Sequence, residues 1–218
     1  MSRDRFAGLA AQLAAIGRRC YARGWALGTS GNFSAVVSPR PLQLAITARG
    51  VPKGRLRAMD ILRCDEGGAI VGRRGRSGRR PSAETLLHLE IARARGAGAV
   101  LHTHSAWTTV LSDLYAGDGG LPLEGYEMLK GLTGVESHEH REWIPIIQND
   151  QDMPRLAGRV RETLERFPGA HAFLLCRHGL YTWGDTLDEA ERHVEILEFL
   201  FETVGRTAAL QASTNLSI

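Results

Sequence analysis

Residues 99–104 read Ala-Val-Leu-His-Thr-His, an apolar run that ends in two histidines one position apart. Gly96 and Gly98 precede the run and Ser105 follows it, which marks a short buried strand. Side chains alternate along a strand, so His102 and His104 project to the same side. Two imidazoles fixed at a strand end can hold a metal. A catalytic zinc takes three protein ligands, with nitrogen at about 2.0–2.1 Å, and keeps a fourth position open. His178 is the best candidate for the third, because it follows the apolar run Phe173, Leu174, Leu175 and precedes Gly179, which lets the chain turn sharply. His138 and His140 repeat the spacing, but they lie in the polar stretch 136–142 and read as a solvated loop. His88 stands four positions after Glu84, a spacing that suits either a metal or a surface hydrogen bond. His171 and His193 have no constellation around them and read as structural.

Working outward, Phe6, Leu9, Leu13, Ile16 and Cys20 recur at steps of three and four, which predicts an amphipathic helix over 4–23 closed by Gly24. Stretches 32–37, 42–47, 60–64 and 69–71 have strand character between turns rich in Pro and Gly. Ser82 is placed to cap a helix over 83–95. Further helices are expected over 106–115 and 153–166, a helical turn over 124–131, and strands over 143–147, 172–176 and 180–183. Thr186 with Glu189 forms a capping-box pattern that opens a final helix. The sum is an α/β fold, a sheet with an antiparallel element flanked by helices.

With 218 residues, 43% apolar and 23% charged, the chain fits one globular domain over 1–218. No apolar run approaches the roughly 18–20 residues of a spanning helix, and the first 14 residues carry Asp4 and two arginines where a signal peptide would be apolar. The expected setting is cytoplasmic, with no membrane partner. Cys20, Cys64 and Cys176 are odd in number and far apart, as reduced thiols are. The net charge of +3 raises the question of nucleic acid. However, Arg73, Arg74, Arg76, Arg79 and Arg80 sit in one Gly/Ser-punctuated loop, and without those five charges the chain is acidic. A single loop lacks the stripe and groove-reading elements of a nucleic-acid protein, so none is expected as a partner.

Two segments suit an anion. Residues 28–32, Gly-Thr-Ser-Gly-Asn, can wrap backbone and side-chain donors around a phosphate, or simply make a tight turn. Residues 47–53 end in Lys53, one of only two lysines in the chain, the other being Lys130. A lysine in an arginine-rich sequence supplies a compact point charge. Neither segment matches GxxxxGK[ST] or GxGxxG, so a nucleotide is not the expected anion.

Segments 28–32 and 47–50, Ser82 with Glu84, His102 with His104, and His178 with Gly179 occur in an order that resembles the class II aldolase and adducin family across nearly the whole chain. That resemblance implies an α/β/α sandwich around a central, mostly antiparallel sheet, and a small sugar-phosphate substrate. It also implies Zn2+ held by His102, His104 and His178. Ser30, Gly31, Asn32 and Ser82 would hold the phosphate, supported by Lys53. A homo-oligomer, commonly a fourfold tetramer, is implied by resemblance alone. Residues 81–88 (PSAETLLH), 125–131 (GYEMLKG), 144–153 (IPIIQNDQDM) and 177–184 (RHGLYTWG) are most similar to the dehydratase branch of the family, whose substrate is a methylthio-ketopentose 1-phosphate. That branch implies Glu127 as acid/base and Glu84 as a second active-site group orienting substrate or water. The competing expectation within the family is a sugar-phosphate aldolase or epimerase using the same metal-stabilised enediolate. An adducin-like scaffold is disfavoured by the complete histidine set.

Overall fold

The computed structural model describes residues 2–72 and 78–215. Arg73, Arg74 and Arg76 of the basic loop therefore lie outside the described residues. Arg79 is described, and it pairs with buried Asp60 at 2.9 Å.

Among the described residues eight strands form one sheet in the order β3-β2-β1-β4-β8-β7-β6-β5. They are β1 (Asn32–Pro39), β2 (Leu42–Thr47), β3 (Ile61–Cys64), β4 (Ala99–Thr103), β5 (Gly120–Glu124), β6 (Arg141–Ile147), β7 (Ala172–Leu175) and β8 (Gly179–Gly184). Every neighbouring pair is antiparallel except β6 with β7. The α-helices of the described residues cover the faces: α1 (Ser2–Ala22), α2 (Thr85–Arg95), α3 (Ala106–Leu114), α4 (Met153–Arg166) and α5 (Leu187–Asn215). Among the described residues no helix is long and apolar enough to cross a membrane.

Alternation along β4 decides which face receives which helix. Ala99 and Leu101 join Leu13 and Ile16 of α1 and Val194 of α5. Val100 joins Leu87 and Ile91 of α2 and Leu156 and Val160 of α4. Leu13, Ile16, Leu87 and Leu156 are at most 1% exposed, and each such side chain contributes about 1.5–3 kcal/mol by burial. His102 thus faces the α2 and α4 side, and Thr103 faces the α3 and α5 side.

Four local expectations need correction. Residues 69–71 make only a single bridge, Ile70 to Cys64, because the turn at Gly67 and Gly68 leaves too few residues to pair. Gly120–Glu124 is a strand that sequence reading passed over. Pro122 breaks its pattern, but β5 is an edge strand, where a missing N–H is tolerated. Glu124 accordingly ends a strand paired with Arg141, β6 starts there rather than at Trp143, and helical geometry begins only at Glu127–Gly131. Ser82 is not the N-cap of α2. It makes a turn, with its carbonyl accepting from the Thr85 amide and hydroxyl, and the helix starts after Glu84. At α5, Thr186 Oγ accepts from the Glu189 amide at 3.1 Å, while the Glu189 carboxylate reaches the Asp185 amide at 2.7 Å.

Candidate metal centre

His102 is the penultimate residue of β4 in the middle of the sheet, His104 follows directly after the strand's last residue, Thr103, and His178 sits in the turn between β7 and β8. Antiparallel pairing of β4 with β8 sets Thr103 opposite Leu180 and so brings that turn alongside the His-Thr-His segment. The approach is close: a Cβ on Gly179 would lie 2.0 Å from the Thr103 carbonyl oxygen, so only glycine fits. The same holds at Gly31, with φ of +71° and a Cβ position 2.7 Å from the His102 carbonyl.

One ring nitrogen from each of His102, His104 and His178 lies within 4.8 Å of those of the other two. His102 Nδ1 donates to the Leu180 carbonyl at 2.8 Å, which leaves a lone pair on Nε2, and that atom is 2.7 Å from His104 Nε2. Two ring nitrogens so close need a proton or a cation between them. Burial first, and the neighbouring imidazoles second, hold the pKa of His102 well below its ordinary value and that of His104 at about 3. Burial also lowers that of His178, against the pull of Glu84. His178 Nδ1 is buried with no hydrogen-bond partner among the described residues. Three converging neutral imidazoles are the donor set that a borderline divalent cation takes.

Glu84 stands beside them, its oxygens 3.5 Å from His102 Nε2 and 3.4 Å from His178 Nε2. A directional chain of hydrogen bonds fixes it. Asn32 lies directly opposite His102 in the β1–β4 register, and its Nδ2 donates to Glu84 at 2.6 Å. Its Oδ1 in turn accepts from His88 Nε2. His88 Nδ1 is 2.7 Å from the Ser34 hydroxyl, which must donate because burial drives the His88 pKa down to about 3 and keeps the ring neutral. His88 is thus neither a metal ligand nor a surface group; it is fully buried and orients Asn32. Tyr181 stacks on His102 with centroids 3.9 Å apart, and burial with the Glu84 charge pushes its phenol well above the ordinary pKa, so it remains a donor.

His104 and His178 open into a cavity of ≈ 360 Å³ that Ser30, Gly31, Asn32, Lys53, Ser82 and Glu84 also line, with His102 buried behind them. All the residues expected at the anion therefore share one cavity with His104 and His178. Lys53 is 1% exposed, and its ammonium donates to the Thr29 carbonyl at 2.9 Å. Burial lowers its pKa to about 8, with Glu84 opposing. Arg49, Asn149 and Gln151, which sequence reading did not single out individually, line the cavity too. The last two flank Asp150, whose carboxylate is held by Arg155 at 2.6 Å and pins the loop.

Glu127 is not among these residues. Its side chain is 72% exposed and pairs with Lys130 at 2.6 Å, an interaction that lowers its pKa. Just beyond, Thr133 is gripped by two histidines. His171 Nε2 is 2.8 Å from the Thr133 carbonyl and Nδ1 is 3.0 Å from Glu142, two pure acceptors, so both nitrogens carry protons. Burial opposes that charge, but Glu142 outweighs it and raises the His171 pKa. His193 donates through Nδ1 to the Trp183 carbonyl and accepts the Thr133 amide at Nε2, so it must be neutral, and burial lowers its pKa. The His171 contribution is complete below about pH 6.5 and is lost as pH rises through its raised folded pKa. The His193 contribution is complete above about pH 6.5 and is lost as pH falls toward its depressed value. Protection of the Thr133 amide, corrected for intrinsic exchange, is expected to peak near about pH 6.5 and fall on both sides in hydrogen-exchange measurements. A monotonic profile would contradict this pairing.

The family model of the class II aldolase and adducin N-terminal domain matches residues 11–204. Methylthioribulose-1-phosphate dehydratase of Methylococcus capsulatus is 48% identical over 198 residues, covering 90% of this chain and 93% of the relative. The protein of that name from Pseudomonas paraeruginosa is 45% identical over 195 residues, covering 89% and 92%. The crystal structure of l-fuculose-1-phosphate aldolase from Thermus thermophilus superimposes with a TM-score of 0.73 at 25% identity, over 97% of this chain and 99% of that one. From its sequence and its fold alike, the chain belongs to the class II aldolase and adducin family.

Proposed function

We propose that the protein dehydrates 5-methylthioribulose 1-phosphate to the 2,3-diketo-5-methylthiopentyl 1-phosphate, a step of methionine salvage, with zinc held by His102, His104 and His178. The observation that carries this reading is the imidazole triad, two of whose members, His104 and His178, line the cavity shared with the residues expected to bind the phosphate. The names of the relatives give it the substrate. Bound there, the metal would act as a Lewis acid on the substrate ketone at carbon 2.

The chain's own groups do the rest. Ser30, Asn32 and Ser82, with Gly31 allowing close approach of the backbone, bind the phosphate, and Lys53 supplies a compact charge. A carboxylate removes the proton on carbon 3 and then protonates the departing carbon 4 hydroxyl, so that one water leaves and the enol ketonises. We assign that exchange to Glu127 and the orientation of substrate or water to Glu84. Because Glu127 is exposed and outside the cavity of its own chain, it acts only if a neighbouring copy carries it there, which makes a homo-oligomer part of the proposal. A second reading, with Glu84 itself as acid/base, is favoured by its 3.4 and 3.5 Å distances to the imidazoles.

Incubating the protein with ketose and aldose 1-phosphates, with and without chelator, tests the reaction. The expected result is a diketone from the methylthio-ketopentose phosphate and loss of activity with the metal. A three-carbon cleavage product instead would identify an aldolase. Chelator-insensitive turnover by protein free of transition metal would remove the metal from the account.

A further inference from the structure

We propose that Glu198 is a positioning residue for the metal centre, holding the His102-Thr103-His104 segment from behind the sheet through Thr103, the residue between the two ligands. The inference rests on the metal reading above. Glu198 lies on α5 and is 2% exposed, with its Oε2 buried and unpartnered among the described residues. Its Oε1 accepts from the Thr103 hydroxyl at 2.6 Å. Thr103 immediately precedes His104, and on the other side Ser105 is the N-cap of α3, accepting from the Thr108 amide at 3.1 Å.

The three ligands are not oriented in the same way. His102 has its own ring bond to the Leu180 carbonyl. His104 lies past the end of β4, where the ladder no longer fixes it, and its main-chain amide donates to the Trp25 carbonyl at 2.7 Å. Glu198 supplies what the ladder does not. Alternation turns Thr103 away from the metal side toward α5, so a carboxyl group there can tie down the ligand segment without entering the cavity. Filling that space with an apolar side chain would avoid a desolvated carboxyl with one idle oxygen, an arrangement that costs free energy unless the group has a task. Glutamine keeps the length of the side chain and a carbonyl oxygen able to accept from the Thr103 hydroxyl, so it preserves the observed contact.

Zinc affinity, measured by competition with a chromophoric chelator, tests this on the full-length protein, with circular dichroism confirming the fold. Glu198→Ala is expected to weaken zinc binding about 10- to 100-fold, the range for groups that orient ligands, and Glu198→Gln to restore it to within about threefold of wild type. Thr103→Val, which removes only the hydroxyl and preserves shape in a strand, should weaken binding in the same direction even if the alanine variant fails to fold. Val194→Ala, a core truncation on the same helix, should lower the melting temperature and leave zinc affinity unchanged. Wild-type affinity in Thr103→Val, failure of glutamine to rescue, or an equal loss in Val194→Ala would overturn the inference while the metal reading stands. Absence of zinc binding by the wild-type protein would remove both.

Discussion

Replacing His102 by alanine is expected to abolish stoichiometric metal binding and to lower dehydratase turnover by about three orders of magnitude or more, since loss of Lewis-acid stabilisation forfeits several kcal/mol at the transition state. The effect should be largest at this ligand. His102 is fully buried, its ring is fixed by the Leu180 carbonyl, and it contacts both His104 and Tyr181. Elemental analysis should show metal falling together with activity, because the two remaining imidazoles cannot define the site. The fold should survive, since cluster members such as Val100, Phe173 and Leu175 remain buried on that face. A His102→Ala protein that keeps both its metal and its turnover would refute the ligand assignment.

Glu127→Gln is expected to lower turnover about 10²- to 10⁴-fold, the usual worth of a positioned acid/base, with little change in metal content. The decisive experiment mixes two inactive proteins. Glu127→Gln retains the histidines, and His102→Ala retains the carboxylate. If the carboxylate arrives from a neighbouring copy, unfolding and refolding them together at equal concentration should return about a quarter of wild-type turnover, the share of sites that combine both intact halves. If Glu127 served its own chain, mixing would restore nothing. Near wild-type turnover in Glu127→Gln, with loss in Glu84→Gln, would move the acid/base role to Glu84. The position of Glu127 on an exposed turn next to half-exposed Met128 is what makes the mixing result informative.

The strand β4, Ala99–Thr103, was legible because its information is local: an apolar run, a period of two, and preceding glycines. His178 could be picked out for the same reason, from the apolar run before it and the glycine after it. The chain from Ser34 through His88 and Asn32 to Glu84 was not legible. It depends on how β1 lies against β4 and α2, contacts separated by more than fifty positions. A lone histidine on a helix gives no hint that a strand serine and asparagine will meet it. His171 and His193 looked isolated for a similar reason, since their shared partner Thr133 lies 38 and 60 positions away. At β5, local chemistry pointed the wrong way: Pro122 argues against a strand except at an edge, and sequence does not reveal which strand will be the edge. Segments 28–32 and 47–53 suggested an anion from their own glycines, hydroxyls and lysine, the resemblance added Ser82, and one cavity gathers the residues so expected.

The pairing of β4 with β8 also bears on the order of events in the life of the chain. The bond that fixes His102 joins residues 78 positions apart, and it forms only when the centre of the sheet zips together. Closing so long a loop is slow and is not rewarded until the ladder is made. A nascent chain released as far as His104 therefore has only part of its ligand set and no means of aligning it. Metal capture should follow sheet assembly, and a cation added during refolding should act late, slowing unfolding more than it speeds folding.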